Sequence, residues 1–153
     1  MIIRLATEED IPAMAQIRSL EWGDEAYWID RISWYKHGEH SPQQALPERA
    51  VFVAVCESAV IGFTAGHKTR RLHCDGELQW LNVAAPKRGL GIADQLISRM
   101  GVWFLEQQAK RICVNVASDN IAARRVYERC GAIALQENWM VWEDSSLMGR
   151  QLQ

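Results

Sequence analysis

No apolar run in this chain approaches the roughly 20 residues that a membrane-crossing helix requires. Its first residues, Met-Ile-Ile-Arg-Leu, lack the charged, apolar and small-residue order of a secretory signal. The four cysteines, Cys56, Cys74, Cys113 and Cys130, are widely spaced and form no Cys-x-x-Cys pair. That argues against a disulfide framework and against a dithiol redox motif, and points to reduced, buried thiols. His67, His73, Cys74, Asp75 and Glu77 lie close in sequence but match no zinc spacing, so no metal is expected. Charge of one sign is also missing. Seventeen Lys and Arg against 19 Asp and Glu give a net charge of −2, with no electrostatic reason to bind nucleic acid. There is no internal repeat and no low-complexity segment. The expectation is a cytoplasmic protein without membrane or nucleic-acid partners.

What is present is ordinary globular composition, 48% apolar and 24% charged over 153 residues. A chain of this length forms one domain that buries about two-thirds of its unfolded surface. We place that domain at residues 1–144. Residues 145–153 form a C-terminal tail, short and polar enough to fray.

The most informative segment is Val83-Ala84-Ala85-Pro86-Lys87-Arg88-Gly89-Leu90-Gly91-Ile92-Ala93. A strand-like run ending at Val83 passes through a glycine-punctuated turn directly into a helix. That helix places Ile92, Leu96, Met100, Trp103 and Phe104 on one side at a 3.6-residue period. No Ser, Thr, Asp or Asn stands at its start to cap the unpaired N–H groups. Lys87 and Arg88 add positive charge at the same point. The turn therefore reads as an anion site for a phosphorylated cofactor. It is not a P-loop, because Ile92-Ala93 stands where Lys-Ser/Thr is needed, and Asp94 breaks the dinucleotide pattern G-x-G-x-x-G.

A second segment runs V-N-V-A-S-D-N-I-A-A-R-R-V-Y-E-R-C-G-A from Val114. A β-branched strand from Ile112 to Val116 leads to a polar turn and a helix that Asp119 or Asn120 could cap, ended by Gly131. Asn120, Ala123 and Tyr127 fall on one helical face, with Asn120 and Tyr127 about 10 Å apart along the axis. Tyr127 on such a stripe is equally consistent with simple core packing.

Together the two segments resemble the GNAT superfamily of N-acetyltransferases. Arg88, Gly91 and Ala93 follow its coenzyme A loop, Q/R-x-x-G-x-G/A. Asn120, Ala123, Val126, Tyr127 and Gly131 follow its second motif, N-x-x-A-x-x-(L/V)-Y-x-x-x-G, at the right distance. Departures are small: Pro86 lies one residue late, Ala93 takes the place of the commoner glycine, and Ala132 stands where an aromatic is usual.

The remaining elements suit that family's order. We expect a strand at 2–5, a helix from a Thr7/Asp10 start to about Ser19, and a second helix from Asp24 to His37. A hairpin of 50–56 and 60–67 should follow, then a strand at 77–83 and two final strands near 132–135 and 139–143. The resemblance implies an α/β fold with a mixed, mostly antiparallel twisted sheet of six to seven strands flanked by about four helices.

It also implies chemistry. Acetyl-CoA would be the cosubstrate, and an acetyl group would pass directly to a primary amine within a ternary complex. The pantetheine arm would pair with the Leu81–Val83 backbone, whose N–H polarises the thioester. The pyrophosphate would lie on the amides of Arg88, Gly89, Leu90, Gly91, Ile92 and Ala93. Asn120 would touch the pantetheine arm, and Tyr127 would act as general acid to the leaving thiolate. A phenol near pKa 10 suits a thiol that titrates near 8.5.

The base is less determined. Glu77 opens the strand, and period-2 alternation puts it on one face with Gln79, Leu81 and Val83, about 13 Å from Leu81, so a bulge or a bridging water would be needed for it to act there. A glutamate in solvent at a strand end reads the same way. Glu21 and Glu25 are rivals, and an amine already neutral needs no base. For the acceptor, Trp22, Tyr27, Trp28, Trp34 and Tyr35 beside Glu21, Asp24, Glu25 and Asp30 suit a cationic amine, and a polyamine, an amino acid, an aminoglycoside-like amine and a peptide N-terminus or lysine are all open. Trp28, Ile29, Ile32 and Tyr35 also fit a plain buried stripe. A non-catalytic acyl-CoA-binding module would carry the same loop. Trp139 and Val141, alternating near the C-terminus, are compatible with a strand-mediated homodimer, and a core strand reads the same way.

Overall fold

The structure is a computed structural model that describes the backbone of residues 1–152 and the side chains of residues 1–149. Seven strands form one sheet in the order β1-β2-β3-β4-β5-β7-β6. They are β1 (Ile2–Leu5), β2 (Ala45–Cys56), β3 (Ala59–Thr69), β4 (Gly76–Val83), β5 (Ile112–Asn115), β6 (Ile133–Gln136) and β7 (Trp139–Trp142). Every pairing is antiparallel except β4 with β5. The helices are α1 (Ile11–Ser19), α2 (Glu25–Lys36), α3 (Ile92–Glu106) and α4 (Ile121–Arg129).

α1 and α2 cover one face. Met14, Ile17, Trp28, Ile32 and Tyr35 pack there on Val51, Val53, Phe63, Ala65 and Trp80. α3 and α4 cover the other, with Ile97, Met100, Phe104 and Tyr127 against Phe52, Leu78, Val114, Met140 and Trp142. Alternation along the strands divides the side chains between these two cores. α3 lies unusually close because the strands beneath it carry glycines. A Cβ on Gly66 would come within 2.9 Å of the Met100 sulfur and the Phe104 ring, and one on Gly76 within 2.5 Å of Phe104.

The strand expected at 50–56 begins earlier, at Ala45, and takes in Pro47 at a register shift between Ala45 and Arg49 where a missing N–H is tolerated. The tail does not fray across its described side chains. Ser145 and Met148 are fully buried, Ser145 Oγ donates to the Ala109 carbonyl at 2.8 Å, and Met148 fills the space left by Gly101 of α3. β7, which carries Trp139 and Val141, is an interior strand between β5 and β6, and both residues are buried. The alternation read as a dimer edge is therefore core.

Candidate active site

The parallel pair β4/β5 is short. Gly76 faces Ile112, Glu77 faces Cys113 and Leu78 faces Val114, and there the pairing ends. The cause lies in β4. Trp80 pairs with Ala65 while Leu78 pairs with Gly66, so Gln79 is an extra residue without a partner on β3. A bulge of this kind bends and twists its strand away from the neighbour. The two strands splay into a cleft of about 940 Å3. One edge of β4 beyond Leu78 has no strand beside it, so alternate N–H and C=O groups there face the cleft.

The bulge also overturns the single-face assignment of β4. Leu78, Leu81 and Val83 pack toward α3, whereas Trp80 packs in the α1/α2 core. Glu77 also faces α2, on the side away from Leu81. It is not a solvated strand-end glutamate but is only 3% exposed. Its Oε1 lies 3.5 Å from His67 Nε2 and 3.7 Å from Arg71 Nη1. His67 Nδ1 in turn shares a 2.8 Å hydrogen bond with the Tyr35 hydroxyl. Neither Glu77 Oε1 nor His67 Nε2 has a hydrogen-bond partner. Tyr35, His67 and Glu77 thus form a buried polar chain that opens on the cleft at Glu77.

The glycine turn lies at the cleft's other end. Gly89 and Gly91 both adopt φ +81°, and no atom lies within 4 Å of where a Cβ would be. Gly91 occupies the N-cap of α3 and offers no side-chain hydrogen bond to the first turn. The Arg88 amide, expected among the diphosphate donors, is instead used inside the turn, donating to the Ala85 carbonyl at 3.3 Å; the amides after it, the open space over both glycines and the nearby Lys87 could hold a diphosphate. Arg88 is held in place. Its Nε donates to the Val83 carbonyl at 3.1 Å, and its Nη2 pairs with Glu21 from the loop after α1. Leu90 contributes only backbone to the turn, its side chain being 66% exposed.

Asn120 and Tyr127 form the third wall. Asn120 is the N-cap of α4, and its Oδ1 accepts from the Ala123 amide at 3.2 Å. Tyr127 is 8% exposed, lines the cleft, and stands edge-on to Trp142 with ring centroids 5.7 Å apart. Burial pushes its phenol up to about 12, although the charge of Arg18 pulls the other way. Asp94 at the start of α3 and Arg129 at the end of α4 are ion-paired beside it.

The sequence-predicted acceptor residues separate. Trp28 and Tyr35 are buried in the core, as the stripe reading has it, while Tyr27 and Trp34 are exposed outside the cleft. Of the aromatics from α1 to α2, only Trp22 lines the cleft. Asp24 is used as the α2 cap and accepts from the Tyr27 amide at 2.8 Å, and Glu25 lies in the first turn beside it. Glu21 reaches the cleft but is engaged by Arg88. Sequence reasoning missed Arg18 and His67. The signal for Arg18 was available, since Ile11, Met14, Ala15 and Arg18 follow an i, i+3, i+4, i+7 stripe that otherwise is wholly apolar. His67 likewise continues the alternation Phe63, Ala65, His67 into the interior.

Among the described residues no group of three or more His, Cys, Asp or Glu could hold a metal, no disulfide joins the cysteines, and no helix is long and apolar enough to cross a membrane. A profile of the acetyltransferase (GNAT) family matches residues 12–132. The chain belongs to the GNAT acetyltransferase family. GNAT acetyltransferases use acetyl-CoA, and the open loop and splayed strands are the parts of this chain that suit it. Solved structures agree on the fold. A ribosomal-protein-alanine N-acetyltransferase from Brucella melitensis is 21% identical, with TM-score 0.73 over 92% of this chain and 98% of its own. An aminoglycoside antibiotic 6'-N-acetyltransferase from Acinetobacter haemolyticus is 18% identical, with TM-score 0.72 over 90% and 94%. PaiA N-acetyltransferase from Thermoplasma acidophilum, solved with coenzyme A, is 14% identical, with TM-score 0.66 over 92% and 96%. No curated protein sequence gives a significant match.

Proposed function

We propose that this protein transfers an acetyl group from acetyl-CoA to a primary amine directly, with both substrates bound at once. The observation that carries this reading is convergence. An unpaired β4 edge, an uncapped glycine turn and a buried tyrosine share one cleft.

Bound acetyl-CoA supplies an activated acyl carbon with a thiolate leaving group. The amides of Gly89 to Ala93 hold the diphosphate, the Asn120 NH2 and the Leu81–Val83 backbone hold the pantetheine arm, and a β4 N–H faces the carbonyl oxygen. As the amine nitrogen bonds to the acyl carbon, negative charge develops on that oxygen, where a fixed donor is most effective. The carbon–sulfur bond then breaks and the sulfur takes the Tyr127 proton. Burial raises the Tyr127 phenol to about 12, which keeps it protonated at neutral pH but makes it a weaker acid than an ordinary phenol, so its proton moves only as the thiolate forms beside it. The proton lost by the amine goes to Glu77 through water, or to bulk water before binding. The His67 and Tyr35 chain holds the Glu77 carboxylate in one orientation. Reaction by proximity in a ternary complex needs no acyl-enzyme.

Steady-state kinetics with varied acetyl-CoA and amine test the order directly. Intersecting double-reciprocal lines are expected; parallel lines would indicate an acyl-enzyme and overturn direct transfer.

A further inference from the structure

The acceptor end of the cleft has the wrong charges for a simple cationic amine. Of the carboxylates that line it, Glu21 is committed to Arg88, and Glu77 lies beside His67 and Arg71. What it presents instead is Arg18. The Arg18 guanidinium lies 4.8 Å from the Trp28 ring centroid and 5.7 Å from that of Trp22, which strip water from its faces. Its Nη1 donates to Asn82 Oδ1 at 3.1 Å, and its Nε is buried with no partner. A guanidinium desolvated between indoles, hydrogen-bonded only to a neutral amide, reached by Glu21 through its charge alone and short of one hydrogen bond, is costly unless an anion completes it. The planar fork favours a carboxylate, which can accept two parallel N–H bonds. Nearby on the same cleft, Gln79 Oε1 and Glu77 Oε1 are buried acceptors without donors. The cleft therefore offers unfilled donors on Arg18 and unfilled acceptors along β4, the complement of a molecule that carries both a carboxylate and an amine.

We propose that the acceptor is a small amine that also bears a carboxylate, a free amino acid in its simplest form, and that Arg18 holds the carboxylate. This rests on the acetyltransferase reading above. Arg18 and Tyr127 line the same cleft, so a carboxylate on Arg18 and an amine at the reacting end suit one small molecule, an α-amino acid in the simplest case. A peptide N-terminus has an amide at that place and leaves Arg18 unanswered.

The test compares matched acceptors in the wild-type protein. Thiol release from acetyl-CoA is measured with a panel of L-amino acids and with the primary carboxamide of each. Intrinsic reactivity favours the amides, whose α-amines are less basic and more often neutral. The proposal expects the reverse, kcat/KM for the acids about 10 to 150 times higher, the range of a charged hydrogen bond. Arg18→Met should abolish the preference, and Arg18→Lys should restore part of it, keeping the charge without the fork. Wild-type rates that are equal or higher for the amides would overturn the proposal whether or not the variants fold. Release with amides or carboxylate-free amines alone would overturn it while leaving the acetyltransferase reading intact. Release with no amine at all, while coenzyme A still binds by calorimetry, would overturn both.

Discussion

The Oδ1 of Asn120 accepts a hydrogen bond from the Ala123 amide at 3.2 Å, so the side chain caps α4 with one end and has its NH2 left for a ligand. The two duties can be separated. Asn120→Asp keeps the capping oxygen and removes the donor, so thermal stability should hold while the KM for acetyl-CoA rises severalfold. Asn120→Ala should show the same KM effect and also lose about 1 kcal/mol of stability. Thermal melts beside steady-state kinetics check both, and an Asp variant with unchanged KM would remove Asn120 from the pantetheine site.

At the glycine turn, Gly91→Ala forces a side chain into φ +81° and sets a methyl group over the open amides. A loss of about 1–2 kcal/mol is expected from the backbone term. Weaker coenzyme A binding by calorimetry should accompany it. Arg88→Glu should weaken binding further, by placing an anion beside the diphosphate and repelling Glu21. Undiminished affinity in Arg88→Glu would relocate the diphosphate.

For Glu77, the neutral isostere is informative. Glu77→Gln keeps the volume beside His67 and Arg71 but cannot take a proton. Turnover should fall about tenfold or more at neutral pH and recover as pH rises and more acceptor is neutral. A pH-independent loss would make Glu77 a structural residue.

Tyr127 also links stability to pH. Its phenol is raised in the folded chain to about 12 from an ordinary value near 10. The folded state therefore holds this proton in the window where the unfolded chain releases it. Stability from this group is complete below pH 10 and is lost as pH rises toward 12, with a slope of up to about 1.4 kcal/mol per pH unit. Tyr35, raised more strongly by its own burial, contributes in the same direction. Denaturation midpoints from pH 9 to 11.5 should fall less steeply in Tyr127→Phe than in the wild type.

The parts legible from the sequence are those that are local. The glycine turn, the uncapped start of α3, the cap of α4 and the apolar periods of both helices are written in neighbouring residues, and each lies where it was expected. The distance from Glu77 to Leu81 called for a bulge or a bridging water, but the bulge's place at Gln79 was not legible, because a bulge is defined by the partner strand and Gln79 itself carries no turn signal. That one residue reversed the facing of Glu77 and joined it to His67 and Tyr35, which sit 10 and 42 residues away along the chain. The burial of Ser145 and Met148 was hidden for a similar reason. The space they fill exists only because Gly101 of α3 has no side chain.

The central claim is tested most directly by acceptor-dependent thiol release from acetyl-CoA, wild type beside Tyr127→Phe, with coenzyme A affinity measured on both. The account predicts release that requires an amine and falls about 10 to 1,000-fold in the variant, at nearly equal affinity. Coenzyme A binding without acceptor-dependent release from any amine, or equal turnover in Tyr127→Phe, would contradict it. The first outcome would leave a coenzyme-binding module, and the second would leave the reaction without its proposed acid.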